Sequence, residues 1–98
     1  MYKNHAYRDK TENEIRKEIL EEGFDPIKIS NGSGFVYALH QHPETKLLVF
    51  LEGSMDVTVH GETYRCLPGD KMIIPGNTPH SAVVGKEGCI FFWSEKIM

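Results

Sequence analysis

Three histidines in this sequence have a spacing that suits metal binding. His40 and His42 form a His-x-His pair on an apolar segment, and His80 follows the proline-bounded loop of residues 75–79. Side chains two positions apart on a β-strand point to the same face, so two imidazoles can face one point. A third imidazole from a neighbouring strand would complete a metal-binding cup. We therefore treat His40, His42 and His80 as candidate metal ligands.

The chemistry of such a cup follows from its donor atoms. Three neutral imidazoles suit Zn²⁺, Fe²⁺, Ni²⁺, Cu²⁺ or Mn²⁺, with Mn²⁺ held least tightly. Open coordination positions would remain for water or substrate. Without a carboxylate ligand the ion keeps its full charge, which makes bound water more acidic and lowers the affinity. Glu44, two residues after His42, is an alternative fourth ligand, although it begins a loop.

Composition and charge exclude several classes of function. The 98 residues form one domain, 40% hydrophobic and 26% charged. A net charge of −3 leaves no basic stripe for nucleic acid. The longest apolar runs have five residues, so no membrane span is expected, and a cytoplasmic location is the default. Cys66 and Cys89 lack metal-motif spacing and are expected to be buried thiols rather than a disulfide.

One helix is expected near the start of the chain. Residues 1–10 show no periodic pattern and predict a partly ordered arm. Residues 11–22 follow a helical pattern, because Thr11 and Glu14 have capping-box spacing and Gly23 provides a stop. Its narrow apolar stripe, Ile15, Ile19 and Leu20, predicts a helix that packs by one edge on the outside of another element.

From Pro26 onward the hydrophobic period is two, which is typical of strands. Seven or eight short strands with turns every 8–12 residues predict an antiparallel sandwich or barrel. His60 and Gly61 form an expected hairpin turn. We divide the chain into an arm and helix packed on the barrel (residues 1–25) and the barrel itself (residues 26–98). Residues 47–51 are apolar on both faces, so one face needs a cover, either the helix or a second subunit. A homodimer is therefore expected.

Here the sequence resembles the small single-domain cupins, whose motifs are G-x5-H-x-H-x3,4-E-x6-G and G-x5-P-x-G-x2-H-x3-N. The motif positions that match are Gly34, His40, His42 and Gly53 in the first and Gly69, Pro75 and His80 in the second. The resemblance implies an all-β fold, an antiparallel double-stranded β-helix or jelly-roll barrel, here with one short N-terminal helix. The narrower likeness is to small cupins with no assigned activity.

The sequence departs from the cupin motifs at three places. The family's glutamate falls at Lys46 or Leu47, and Asn77 and Val84 replace a glycine and an asparagine. The last two changes should be tolerable. By register Lys46 points inward, and an ammonium roughly 6 Å from a divalent ion would be repelled by about 5 kcal/mol at an effective dielectric constant near 20.

Three interpretations of Lys46 stay open. Its ammonium could pair with a carboxylate, it could hold an anionic substrate, or the site could bind no metal. A desolvated Lys46 could also serve as a base or nucleophile, which makes it the candidate catalytic residue. The plainer alternative is an ion-paired lysine at the mouth of the barrel.

The leading functional hypothesis is a cupin that binds a divalent transition metal (Zn, Fe, Ni or Mn) and a small molecule, which is anionic if Lys46 holds it. The candidate pocket residues are Lys46, Tyr37, Phe50, Phe91 and Trp93, although aromatic residues on strands are more often core. His5 and His60 are expected at the surface. Oxygenation, isomerisation and hydrolysis are all compatible with the fold, so whether the protein is an enzyme stays open. The alternatives are a non-catalytic binding or sensing module, with or without metal, and an interaction protein whose barrel is a dimer scaffold.

Overall fold

Seven antiparallel strands and one helix make up the computed structural model, which describes residues 2–7 and 9–96. The predicted all-β class, an antiparallel barrel with one short helix, is confirmed. In chain order the elements are β1 (Tyr2–Lys3), α1 (Glu12–Glu21), β2 (Ile27–Asn31), β3 (Val36–His40), β4 (Thr45–Val59), β5 (Glu62–Cys66), β6 (Lys71–Ile74) and β7 (His80–Lys96).

Two long strands form the centre of the sheet. β4 and β7 pair antiparallel from Thr45 opposite Lys96 to Val59 opposite His80. β6 and β5 pair with successive parts of β4, and β2 and β3 pair with successive parts of β7. This arrangement brings the end of β3 and the start of β7 side by side, which positions the candidate site.

The sequence pattern predicts separate strands at about residues 46–52 and 55–59, and again at about 80–84 and 89–94. That division is wrong, because the first pair forms the single strand β4 and the second pair the single strand β7. The register shifts at residues 50–55, where bulges bend β4 without ending it. Gly53 permits the bend because its φ is +75°, and a Cβ there would lie 2.0 Å from the Gly88 carbonyl oxygen.

The hairpin between β4 and β5 confirms the predicted turn. Val59 lies opposite Glu62, so His60 and Gly61 form a two-residue loop. Both have positive φ, 52° and 78°, as a type I′ turn requires.

The N-terminal helix is confirmed, with its capping box. The Thr11 side chain accepts from the Glu14 amide, and the Glu14 carboxylate accepts from the Thr11 amide. Ile15 and Ile19 are buried, but Leu20 is 52% exposed. Including Leu20 in the apolar stripe was wrong, because it lies about 100° around the helix from Ile19 and faces away from the sheet.

The barrel has apolar contacts on both faces of β4. Leu48 and Phe50 face the interior, whereas Leu47 and Val49 pack with the helix residues Ile15 and Ile19. The helix therefore covers the outer face for which a helix or a second subunit was expected. The homodimer stays a prediction, but the outer face of β4 no longer supports it because the helix covers that face.

The polar arm carries more structure than its sequence predicted. Tyr2 pairs with Met72 on β6. The Pro-Gly-Asp sequence at residues 68–70 predicts a turn that Asp70 stabilises, and this is confirmed, because its fully buried carboxylate accepts from the Leu67 amide at 2.8 Å. It also accepts from the Tyr2 hydroxyl at 2.7 Å and the His5 amide at 2.9 Å, so one carboxylate holds both the turn and the arm.

Cys66 and Cys89 are free, buried thiols, as predicted. Among the described residues no helix is long and apolar enough to cross a membrane. Within the predicted arm Met1 and Arg8 lie outside the described residues, as do Ile97 and Met98 at the end of the barrel segment. We retain the division at residues 25 and 26 as a proposal.

Candidate metal centre

Three imidazoles converge at one end of the barrel. His40 is the last residue of β3 and lies directly opposite His80, the first residue of β7, while His42 follows two residues beyond β3. One ring nitrogen from each can be chosen so that all three lie within 4.8 Å of one another. The ring centroids are 4.4 Å apart for His40 and His80, 4.8 Å for His42 and His80, and 5.1 Å for His40 and His42. The predicted convergence is therefore confirmed.

The loop before His80 is tied to the segment that carries His42. The Asn77 amide donates to the His42 carbonyl at 2.6 Å, and Gly76 lies so close to the Pro43 carbonyl that a Cβ would approach it to 2.2 Å. Asn77 has a φ of +60°. Asparagine adopts this left-handed conformation more readily than most side chains, so it replaces the motif glycine without losing the turn.

Backbone carbonyls fix the orientation of two of the rings. His40 Nδ1 lies 2.5 Å from the Ala38 carbonyl oxygen, and His80 Nδ1 lies 2.8 Å from that of Thr78. A carbonyl only accepts, so each Nδ1 carries the hydrogen and each Nε2 of the neutral ring keeps its lone pair. A hydrogen bond to the other ring nitrogen is the usual arrangement of a metal-ligating histidine.

His80 is the buried member of the group. Burial lowers the pKa of this imidazole, electrostatic repulsion from His40, His42 and Lys46 lowers it further, and the bond to the Thr78 carbonyl opposes the shift. The ring is therefore neutral at neutral pH, which is the form that binds metal.

Lys46 lies on the inner face of β4 beside this group and is 5% exposed. Its ammonium donates to the carboxylate of Glu95, which lies directly across the β4–β7 ladder. The same ammonium lies 3.8 Å from the centroid of the Trp93 ring, a cation–π contact. Of the three interpretations of Lys46, the structure shows the carboxylate pair.

The profile of the cupin domain family matches residues 30–95. This chain belongs to the cupin family. The resemblance drawn from the motif residues is therefore confirmed.

Two curated proteins and one solved structure are similar to this cupin. It is 37% identical over 59 residues to quercetin 2,3-dioxygenase of Bacillus subtilis and 35% identical over 60 residues to the dimethylsulfoniopropionate lyase DddW of Ruegeria pomeroyi. These matches span 59% and 61% of this chain but only 18% and 40% of the relatives. The structure of KdgF from Halomonas sp. superposes with a TM-score of 0.70 at 24% identity, covering 76% of this chain and 69% of that one, which shows the fold.

The donor set of the cupin fits a divalent transition metal. Nitrogens bound to one Zn²⁺ at 2.0–2.1 Å are about 3.3 Å apart, so small rotations of rings whose nitrogens now lie within 4.8 Å of one another would bring them into coordination. Within residues 2–7 and 9–96 the candidate cluster contains three histidines and no carboxylate, and Glu44 is not part of it. The site could hold an ion and leave positions open.

A cavity of about 340 Å³ adjoins the three imidazoles. Of the aromatic candidates, Tyr37, Phe91 and Trp93 border it, as does Lys46. The Tyr37 hydroxyl donates to the Asn31 side-chain oxygen at 2.5 Å. Phe50 does not border this cavity: its side chain is fully buried in the core, with its ring centroid 5.9 Å from that of Phe91. It lies opposite Phe91 on the β4–β7 ladder, where the register of β4 first shifts.

Sequence reasoning missed several residues of the cavity. Its apolar wall is formed by inward-facing strand residues, namely Ile29, Leu48, Met55, Val57, Ile74 and Ala82. The period-two pattern could have found them, since it separates the two faces of each strand. Glu95 could not be found this way, because its position depends on the pairing of strands 49 residues apart. His5 and His60 are exposed, as expected.

Proposed function

We propose that this cupin binds a divalent transition metal, Zn, Fe, Ni or Mn, through His40, His42 and His80, and a small anionic molecule in the adjoining cavity. The observation that carries the proposal is the convergence of three imidazoles within 4.8 Å, two of them oriented by backbone carbonyls. Because Nδ1 of His40 and of His80 donates to a backbone carbonyl, the Nε2 lone pair of each ring is free to bind an ion.

A bound ion would supply Lewis acidity and an acidified water. The chain's own residues orient the imidazoles, provide an apolar wall that excludes water, and place one ammonium beside the site. The two curated relatives are named as a dioxygenase and a lyase. Oxygenation and elimination, like isomerisation or hydrolysis, are compatible with an open three-histidine centre, and the substrate would select among them.

A non-catalytic binding module is the second candidate. It is favoured by the Lys46 ammonium on the same cavity, which opposes a divalent ion, and by a cluster that contains no carboxylate among the described residues. Ligand binding that is unchanged after chelation would support this candidate. Turnover that requires metal would support the enzyme.

Elemental analysis of the purified protein by plasma mass spectrometry tests the proposal. The wild type, loaded in turn with Zn²⁺, Fe²⁺, Ni²⁺ and Mn²⁺ and then desalted, should retain close to one ion per chain for at least one metal. His80→Ala should lose it, because the buried ligand is gone. His60→Ala is the matched control, since His60 lies in an exposed hairpin turn, and it should retain the ion. A wild type that retains no metal, or a His80→Ala variant that retains it fully, would contradict the proposal.

A further inference from the structure

The Lys46–Glu95 pair is asymmetric in its exposure to solvent. The Lys46 side chain is 6% exposed, whereas that of Glu95 is 36% exposed. Lys46 is additionally held over the Trp93 ring. The ammonium is therefore fixed inside the barrel mouth, while the partly exposed carboxylate of Glu95 can move into water once another anion takes its place beside the ammonium.

The cavity around Lys46 is chemically simple. Apart from the three histidines, Lys46 is the one side chain with a formal charge among the described lining residues, and most of the others are apolar or aromatic. Glu95 does not line the cavity. A ligand inside would therefore meet one ammonium at the end that carries the imidazoles, and mostly apolar or aromatic side chains elsewhere.

We infer that Lys46 is a specificity-determining residue for a small monocarboxylate with an apolar body, and that Glu95 occupies the ammonium until the ligand carboxylate displaces it. This inference rests on the proposed function and names its ligand class. The exchange replaces one charge-assisted hydrogen bond by another, and the released Glu95 carboxylate is rehydrated. Lys46 is never left unpaired, which would be costly for a buried cation.

The buried ammonium and the apolar wall also disfavour close analogues of a monocarboxylate. The carbonyl of a neutral amide can accept from the ammonium but cannot neutralise its charge, so Glu95 would keep its place. A dicarboxylate would press its second charge against an apolar wall that includes Leu48, Val57 and Phe91. A cavity of about 340 Å³ lies at the small end of the usual range for ligand sites, so the ligand must be small.

Trp93 provides the readout, because it is the only tryptophan of the chain and its ring contacts Lys46. Fluorescence titrations of the full chain with phenylacetate, phenylacetamide and succinate compare the three ligand types. We expect saturable binding of phenylacetate and at least about tenfold weaker binding of the other two. The titrations are made on chelator-treated and on Zn²⁺-loaded protein.

Three variants test whether the Lys46–Glu95 pair causes the preference for the acid over the amide. Lys46→Met keeps much of the side-chain volume, removes the charge and should abolish the preference for acid over amide. Glu95→Gln should bind phenylacetate several-fold more tightly, because the internal competitor is neutral. Lys86→Met changes an exposed lysine and should behave as the wild type. Circular dichroism checks that each variant is folded, and Glu95→Gln tests the inference even if Lys46→Met does not fold.

Equal binding of acid and amide by the wild type, or no saturable phenylacetate signal in either form of the protein, would overturn the inference. Weaker phenylacetate binding by Glu95→Gln would also overturn it, since Glu95 would then support the site rather than compete. A protein that retains one metal ion per chain but does not select the acid loses only this inference. A protein that selects the acid and retains no metal loses only the metal part of the proposed function.

Discussion

Position 46 shows how one residue can change the electrostatics of the candidate metal centre. The cupin motif has a glutamate at this place or the next, whereas this chain has Lys46 on the inner face of β4. Pairing with Glu95 and the Trp93 ring makes the buried ammonium tolerable. The sequence predicted that Lys46 points inward, but it could not identify Glu95, because the partner is set by the register of two distant strands.

Replacing Lys46 by glutamate should strengthen metal binding. Lys46→Glu removes a positive charge beside the three imidazoles and adds a carboxylate at the motif position, so the Kd for Zn²⁺ should fall by about tenfold or more. Lys46→Met, which only removes the charge, should give an intermediate value. Competition with a chromogenic chelator measures the Kd for Zn²⁺ of the wild type and of both variants. Equal affinities would show that the charge at position 46 does not act on the ion.

The two cysteines give a prediction that depends on pH. Burial raises the pKa of Cys66 to about 12 and that of Cys89 to about 11, so neither thiol ionises near neutral pH. In native protein at pH 8 both should resist Ellman's reagent, and both should react in denaturant. In the unfolded chain the thiols ionise near their ordinary pKa of 9.0, below the folded values. Their contribution to stability is therefore complete below pH 9 and is lost as the pH rises toward 11 and 12.

Urea denaturation at pH 8 and pH 10 measures how the free energy of unfolding depends on pH. A Cys66→Ser variant also loses packing, so the comparison is the pH dependence of each protein rather than its stability at one pH. The variant should lose less stability between the two pH values than the wild type. Rapid labelling of native protein, or an identical pH dependence in both proteins, would contradict the burial argument.

At the scale of elements, sequence signals that span only a few residues predicted the structure correctly. The continuity of the two long strands was not predicted. The capping box at Thr11 and the hairpin at His60 depend on residues within a few positions, and both are confirmed. Each long strand was divided in two because glycines and polar residues near its centre resemble turn signals. In the structure Gly53 bends β4 at a bulge while the ladder continues on either side.

Gly53→Ala tests the role of that bend. A methyl group there would meet the Gly88 carbonyl at 2.0 Å, and the residue would keep a φ of +75°, so unfolding should become easier by about 2 kcal/mol or more. Gly32→Ala is the matched control, because a Cβ there meets nothing within 4 Å and its φ is not positive; it should change stability by less than about 1 kcal/mol. Urea denaturation measures both. Similar stability of the two variants would show that β4 tolerates a side chain at the bend.

At the scale of the whole molecule, the fold and the cup of histidines were predictable because their signals are spaced motifs. His40, His42 and His80 were found from their positions alone, and the structure brings them together. The shape of the cavity was less predictable. Phe50 and Phe91 are the same residue type and lie directly opposite each other on the β4–β7 ladder, yet Phe91 borders the cavity and Phe50 does not. Which ring reaches the cavity depends on packing across strands, which a local pattern does not contain.

X-ray absorption spectroscopy at the zinc edge tests the central proposal most directly. With one equivalent of Zn²⁺ per chain, the spectrum should show imidazole scattering from three nitrogens at about 2.0–2.1 Å and one or two further light ligands. His60→Ala should give the same spectrum, and His80→Ala should lose an imidazole contribution. A spectrum of the wild type with fewer than three imidazoles, or with sulfur as a ligand, would contradict the three-histidine metal centre.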